Sequence, residues 1–86
     1  MEIKVLGPGC QKCHELDKRT REVVRELGIN AGVEYVQDIK KLVEYAILFP
    51  PGLVINGRLV SSGKVLSKKE IGELINSAVS QDESKT

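Results

Sequence analysis

Two hydrophobic periods alternate along this chain, and each predicts its own kind of element. Ile3 to Leu6 reads as a strand, with Ile3 and Val5 on one face and Leu6 on the other. Gly7-Pro8-Gly9 breaks it. From about Cys10 to Leu27 the stripe Leu16, Thr20, Val23, Val24 and Leu27 returns at helical spacing. Gly28 lies just past its end, where a left-handed residue closes a helix. Val33 to Val36 forms a second strand. The helix between makes a β-α-β unit, so the first two strands run parallel.

Asp38 is placed to cap a second helix carrying Ile39, Leu42, Val43, Ala46 and Ile47. Pro50-Pro51 stops it, since neither residue donates a backbone hydrogen bond. Leu53-Val54-Ile55 is apolar throughout, as in a buried strand. Asn56-Gly57 is a two-residue hairpin turn, and Leu59 to Ser61 returns antiparallel until Gly63. Ser67-Lys68-Lys69-Glu70 is a capping box, with Leu66 set to staple against Ile71. The last helix carries Ile71, Leu74, Ile75, Ala78 and Val79. The order is β-α-β-α-β-β-α in a single domain over residues 1–79, and residues 80–86 are expected to form a polar, frayed tail. Lys4 has no evident partner in a strand that should be covered on both faces.

Composition narrows the function. Eighty-six residues suffice for one small domain. Thirteen basic residues against twelve acidic ones give no cationic footprint, and three aromatics (Tyr35, Tyr45, Phe49) give no stacking platform, so no nucleic-acid partner is expected. No apolar run approaches the roughly 20 residues of a membrane span, and the N-terminus goes straight into a strand without an apolar leader. A monomer in the cytoplasm, away from membranes, is the expectation. In that compartment two cysteines point to redox or metal chemistry rather than to a structural staple.

Those cysteines are Cys10 and Cys13, the only two in the chain, placed where the first strand turns into the first helix. At i and i+3 in one helical turn their sulfurs are neighbours and can close a disulfide. Cys10 falls at the N-cap, where free backbone N–H groups favour an anion, and Lys12 adds a nearby cation. Cys10 is therefore the expected nucleophile, and Cys13, a turn deeper, the resolving thiol. Three other readings stay open. The pair is inert and buried; or it binds a soft metal, Cu(I) or half of a Zn site, or docks to another redox protein without catalysis; or Cys10-Gln11-Lys12-Cys13-His14 attaches haem c. Against haem, His14 is the only histidine and Met1 the only methionine, so a second axial ligand is hard to find.

The element order, the C-x-x-C after the first strand and the proline before Gly52-Leu53-Val54-Ile55 resemble the thioredoxin fold. Gly7-x-Gly9-Cys10-x-x-Cys13 and Pro51-Gly52-Leu53-Val54-Ile55-Asn56-Gly57-Arg58-Leu59 resemble, more narrowly, the small prokaryotic glutaredoxin-like redox-active disulfide proteins. The resemblance implies an α/β fold with a four-stranded mixed sheet flanked by helices. It implies electron transport through a redox-active Cys10–Cys13 disulfide with no bound cofactor, that is, a protein disulfide reductase. Its partners would be protein disulfide clients and a thioredoxin-reductase-like donor. It also implies that Pro51 is a cis proline facing the substrate, next to Pro50. The chain departs from thioredoxins in having Gly9, Gln11 and Lys12 around the cysteines, Pro50 before the cis position, and Lys4 where many carry a buried aspartate. Ser61-Ser62-Gly63-Lys64 lacks the acid of a glutaredoxin glutathione site, so glutathione is not the expected partner.

Overall fold

A computed structural model describes the backbone of residues 1–47 and 49–84 and, Leu48 apart, the side chains through Val79. The elements are β1 (Glu2–Leu6), α1 (Gln11–Leu27), β2 (Gly32–Val36), α2 (Ile39–Glu44), β3 (Gly52–Ile55), β4 (Arg58–Ser62) and α3 (Lys68–Ser84). The four strands lie in the order β2-β1-β3-β4. β1 and β2 are parallel, while β1–β3 and β3–β4 are antiparallel. This is the mixed sheet that the element order predicts.

Alternation along the strands sends side chains to two separate cores. Ile3, Val5, Leu53 and Ile55 pack with Leu16, Val23, Ile71 and Ile75 on the side of α1 and α3. Leu6 and Val54 pack with Leu42 and Ile47 on the other side, under α2. The first face is closed by two helices of 17 residues, the second by one of six.

The predicted terminators hold the ends of α1, the hairpin and α3. Gly28 caps α1 at φ 65° and donates to Arg25 O. Asn56 and Gly57 both have positive φ, as a type I′ turn requires. The Glu70 N–H donates to Ser67 Oγ at 3.2 Å, and the Ser67 N–H donates back to Glu70 Oε1 at 3.3 Å. Past Val79, where a frayed tail is expected from Ser80, the backbone stays helical to Ser84; Lys85 and Thr86 lie outside the described residues.

α2 departs from its prediction. Asp38 caps it, accepting from the Lys40 N–H, but the helix ends at Glu44, well before Pro50-Pro51. Ala46 turns left-handed at φ 57°. The Ile47 N–H donates to Leu42 O at 2.9 Å and the Ala46 N–H to Val43 O at 3.0 Å. That pair of bonds is a Schellman motif, completed by the apolar contact of Ile47 with Leu42. Leu42 and Ile47 are buried, while Ile39 and Val43 stand 69% and 73% exposed.

The short α2 also accounts for Lys4. Lys4 shares its sheet face with Leu6, and this face is thinly covered. Lys4 is partly exposed there, and its ammonium pairs with Glu2 Oε1 at 3.2 Å. The Glu2 hydrogen bond raises the Lys4 pKa, so the ammonium stays charged.

Candidate active site

The site is built at the exit of β1. The Gly7 N–H donates to Val36 O at 3.0 Å, which ties the turn to the neighbouring strand. Gly7 has no side chain because Cys13 occupies the place where one would go. Gly9, at φ 96°, bends the chain so that Cys10 arrives at the N-cap of α1. Cys10 is extended (φ −73°, ψ 167°), and its carbonyl accepts the first helical bond from the His14 N–H at 3.1 Å.

Cys10 is exposed and Cys13 is buried, so the helix turn presents one sulfur and shelters the other. The sulfurs lie 2.6 Å apart. In the reduced pair either thiol can donate to the other.

The two thiols are shifted in opposite directions. A hydrogen bond from the Cys13 side chain is the largest effect lowering the Cys10 pKa, followed by the Cys13 backbone N–H; the Lys12 backbone N–H adds to it. Cys10 closes no full capping hydrogen bond, yet these N–H groups lie near enough to favour its anion. The helix terminus named from sequence is thus a real contributor, but the neighbouring thiol outweighs it. Burial is what pushes Cys13 up, with Cys10 adding to the effect.

Pro51 is buried, and the Pro50–Pro51 peptide is cis. The Pro51 carbonyl accepts from the Gly63 N–H at 2.9 Å, fixing the entry to β3. A methyl group on Gly7 would meet Pro50 Cβ at 3.8 Å, so Pro50 borders the cysteine turn. Cys10, Cys13 and Pro50 therefore converge, although Pro50 and Gly7 stand far apart in the chain.

One side chain at the site has no forecast in the sequence pattern. Tyr35 on β2 points to the α1 face, and the His14 ring meets it edge-on at 5.3 Å and 85°. Its hydroxyl oxygen is buried without a hydrogen bond, beside the Cys13 sulfur. Burial first, and the Cys13 sulfur next, push that hydroxyl up to about 12. Strand alternation with Val33 is the signal that would have placed Tyr35 on this face; nothing local marks it as polar contact for Cys13.

Among the described residues no group of three or more His, Cys, Asp or Glu side chains gathers as a metal site, so the soft-metal reading rests on the two sulfurs alone. No helix among them is long and apolar enough to cross a membrane.

A mixed sheet with a dithiol at the first helix N-cap and a cis proline entering the third strand defines a thioredoxin-like protein. The sequence comparisons agree. Residues 1–76 match the family described as Thioredoxin domain. The chain is 38% identical over 76 residues to a thioredoxin of Methanothermobacter thermautotrophicus, covering 88% of this chain and 99% of that one. It is 33% identical over 75 residues to a thioredoxin of Methanocaldococcus jannaschii, covering 87% and 86%. The chain belongs to the thioredoxin domain family, and it is a thiol-disulfide oxidoreductase.

Proposed function

We propose that this protein reduces disulfides in client proteins, with Cys10 as the nucleophile and Cys13 as the resolving thiol. The observation that carries the assignment is the asymmetry of the pair: Cys10 is exposed with a lowered pKa, Cys13 buried with a raised one. Only a thiolate attacks, so the first step belongs to Cys10. Its sulfur bonds to one client sulfur and the other leaves as a thiolate. Cys13 then attacks Cys10 Sγ, which lies 2.6 Å away before the reaction, and releases the reduced client.

Pro50 borders the turn, and in this reading Pro50 and Pro51 flank the extended client segment. The cycle needs no bound cofactor, because the Cys10–Cys13 disulfide itself carries the two electrons. A thioredoxin-reductase-like protein restores the dithiol. Glutathione is not the donor in this reading, since Ser61-Ser62-Gly63-Lys64 offers no acid to its amino group. The protein works as a monomer in the reducing cytoplasm, where such a donor keeps the pair reduced.

Trapping tests the assignment. Cys13→Ser should accumulate a mixed disulfide with an oxidised model protein through Cys10, and Cys10→Ser should accumulate none. Equal trapping by both variants, or by neither, refutes the roles given.

A further inference from the structure

The Tyr35 hydroxyl is a buried polar atom without a hydrogen bond, and it lies against a sulfur whose charge changes during the cycle. An unpaired buried hydroxyl is unfavourable, so an orphan beside a reacting atom points to a partner present in another state of the site. The reaction supplies that state. In the mixed disulfide Cys10 is committed to the client, and its thiol no longer pairs with Cys13. Cys13 must then become a thiolate while buried at 0% exposure. The backbone N–H groups of Cys10 and Gly9 favour that anion, and Tyr35 brings an O–H beside it.

We propose that Tyr35 is a positioning residue for the second half-reaction, its O–H donating to the Cys13 thiolate as that sulfur attacks the mixed disulfide. The proposal rests on Cys13 being the resolving thiol. The Cys13 proton passes to water and the Cys13–Cys10 bond forms. The bond from Cys10 to the client sulfur breaks, and the client leaves as a thiolate with the electron pair. Tyr35 keeps its proton throughout, as a hydroxyl pushed up to about 12 does at neutral pH. It donates and does not act as the base.

The fold holds the ring for this task. Tyr35 sits opposite Val5 in the parallel pairing of β1 and β2. Its ring makes a T-shaped contact with His14 of α1. The titratable groups facing the hydroxyl are Cys13, Cys10 and Asp17, all on or at the start of α1, with His14 against the ring. From β1 it meets only the apolar Val5 in register. Among the described residues the Cys10 thiol is the other side-chain hydrogen-bond partner of Cys13, and the first step consumes it.

The test uses the reduced full chain and the chromogenic disulfide dithiobis(nitrobenzoate) in stopped flow. Release of the first thionitrobenzoate reports attack by Cys10; release of the second reports resolution by Cys13. In Tyr35→Phe the first phase should keep its rate, while the second slows about tenfold or more at pH 7, the size of one hydrogen bond to a charged group. The pH midpoint of the second phase should rise. Replacing Tyr35 with a difluorinated tyrosine, a stronger donor of the same shape, should lower that midpoint and so reads the same bond without removing the hydroxyl. A second phase with parental rate and midpoint in both variants overturns the role of Tyr35. Cys13→Ser serves as control: if it still releases the second thionitrobenzoate, the assignment of Cys13 fails instead.

Discussion

Gly7→Ala tests how the first turn holds the dithiol. Gly7 is buried between β1 and α1, and its backbone is not in the left-handed region, so the cost of a methyl group there is steric. That methyl would overlap the Cys13 sulfur and stand 3.1 Å from Cys13 Cβ. Ordinary nonbonded contact is about 3.5–4.0 Å, so the sulfur has to retreat by more than about 1 Å. Cys13 is fully buried, with Leu16 beneath it on the same helix face, and has little room to do so. Overpacking of this kind costs about 1–3 kcal/mol. Urea unfolding of the reduced variant measures it without any contribution from a disulfide. The displacement also breaks the 2.6 Å approach of the sulfurs, so closure of the pair by a mild oxidant should slow in parallel. Gly32→Ala is the matched control, because nothing lies within 4 Å of its methyl position. If Gly7→Ala keeps parental stability to within about 0.5 kcal/mol and closes its disulfide at the parental rate, the packing argument is wrong.

Four further outcomes follow from the same structure. Alkylation of the reduced protein should reach half its limiting rate at Cys10 below the ordinary thiol pKa of about 8.5, because the folded site favours the thiolate. Cys13→Ala removes the largest cause of that shift, so the Cys10 midpoint should move up toward the ordinary value; an unmoved midpoint assigns the effect to the backbone instead. Ser67→Ala deletes the acceptor for the Glu70 N–H and should cost about 1 kcal/mol in chemical unfolding. Ala46→Gly should stabilise the protein by up to about 1 kcal/mol, since a left-handed alanine is strained by roughly 1–2 kcal/mol and glycine is not. Were Ala46 inside a continuous helix, the same change would destabilise by about 0.5–1 kcal/mol, so the sign of the measured shift decides.

The parts of the fold legible in the sequence are those whose ends carry their own chemistry. Gly28, Asn56-Gly57 and the Ser67–Glu70 box each mark a boundary with a residue type that the backbone there requires. The end of α2 carries no such mark. Its left-handed residue is an alanine, and the next residue, Ile47, falls at helical spacing from Val43. The apolar contact of a Schellman motif joins residues five apart, so it resembles one more helical turn in a list of hydrophobic positions. The pattern therefore lengthens α2 and places Ile39 and Val43 in a core that they do not reach. The placement of the cysteines was legible for the opposite reason: an N-cap position and an i, i+3 spacing act over one turn, within reach of local reasoning.

Lys4 and Tyr35 show where local reasoning ends. A period of two tells which side chains share a face, but not how thickly each face is covered. The same alternation buries Val5 under α1 and α3 and gives Lys4 a way out past the six-residue α2. Where many thioredoxins place a buried acid on the first strand, this chain therefore has an ammonium turned away toward Glu2. The polar group beside Cys13 comes instead from the edge strand β2, through Tyr35. A carboxylate could take the Cys13 proton; a phenol held at about 12 can only donate to the anion once it forms. The division of labour at this dithiol then differs in kind from one built on an acid. The base is solvent, and the protein contributes the hydrogen bond that makes a buried thiolate tolerable. It follows that the pH dependence of resolution should report Cys13, with no ionisation of Tyr35 in the neutral range.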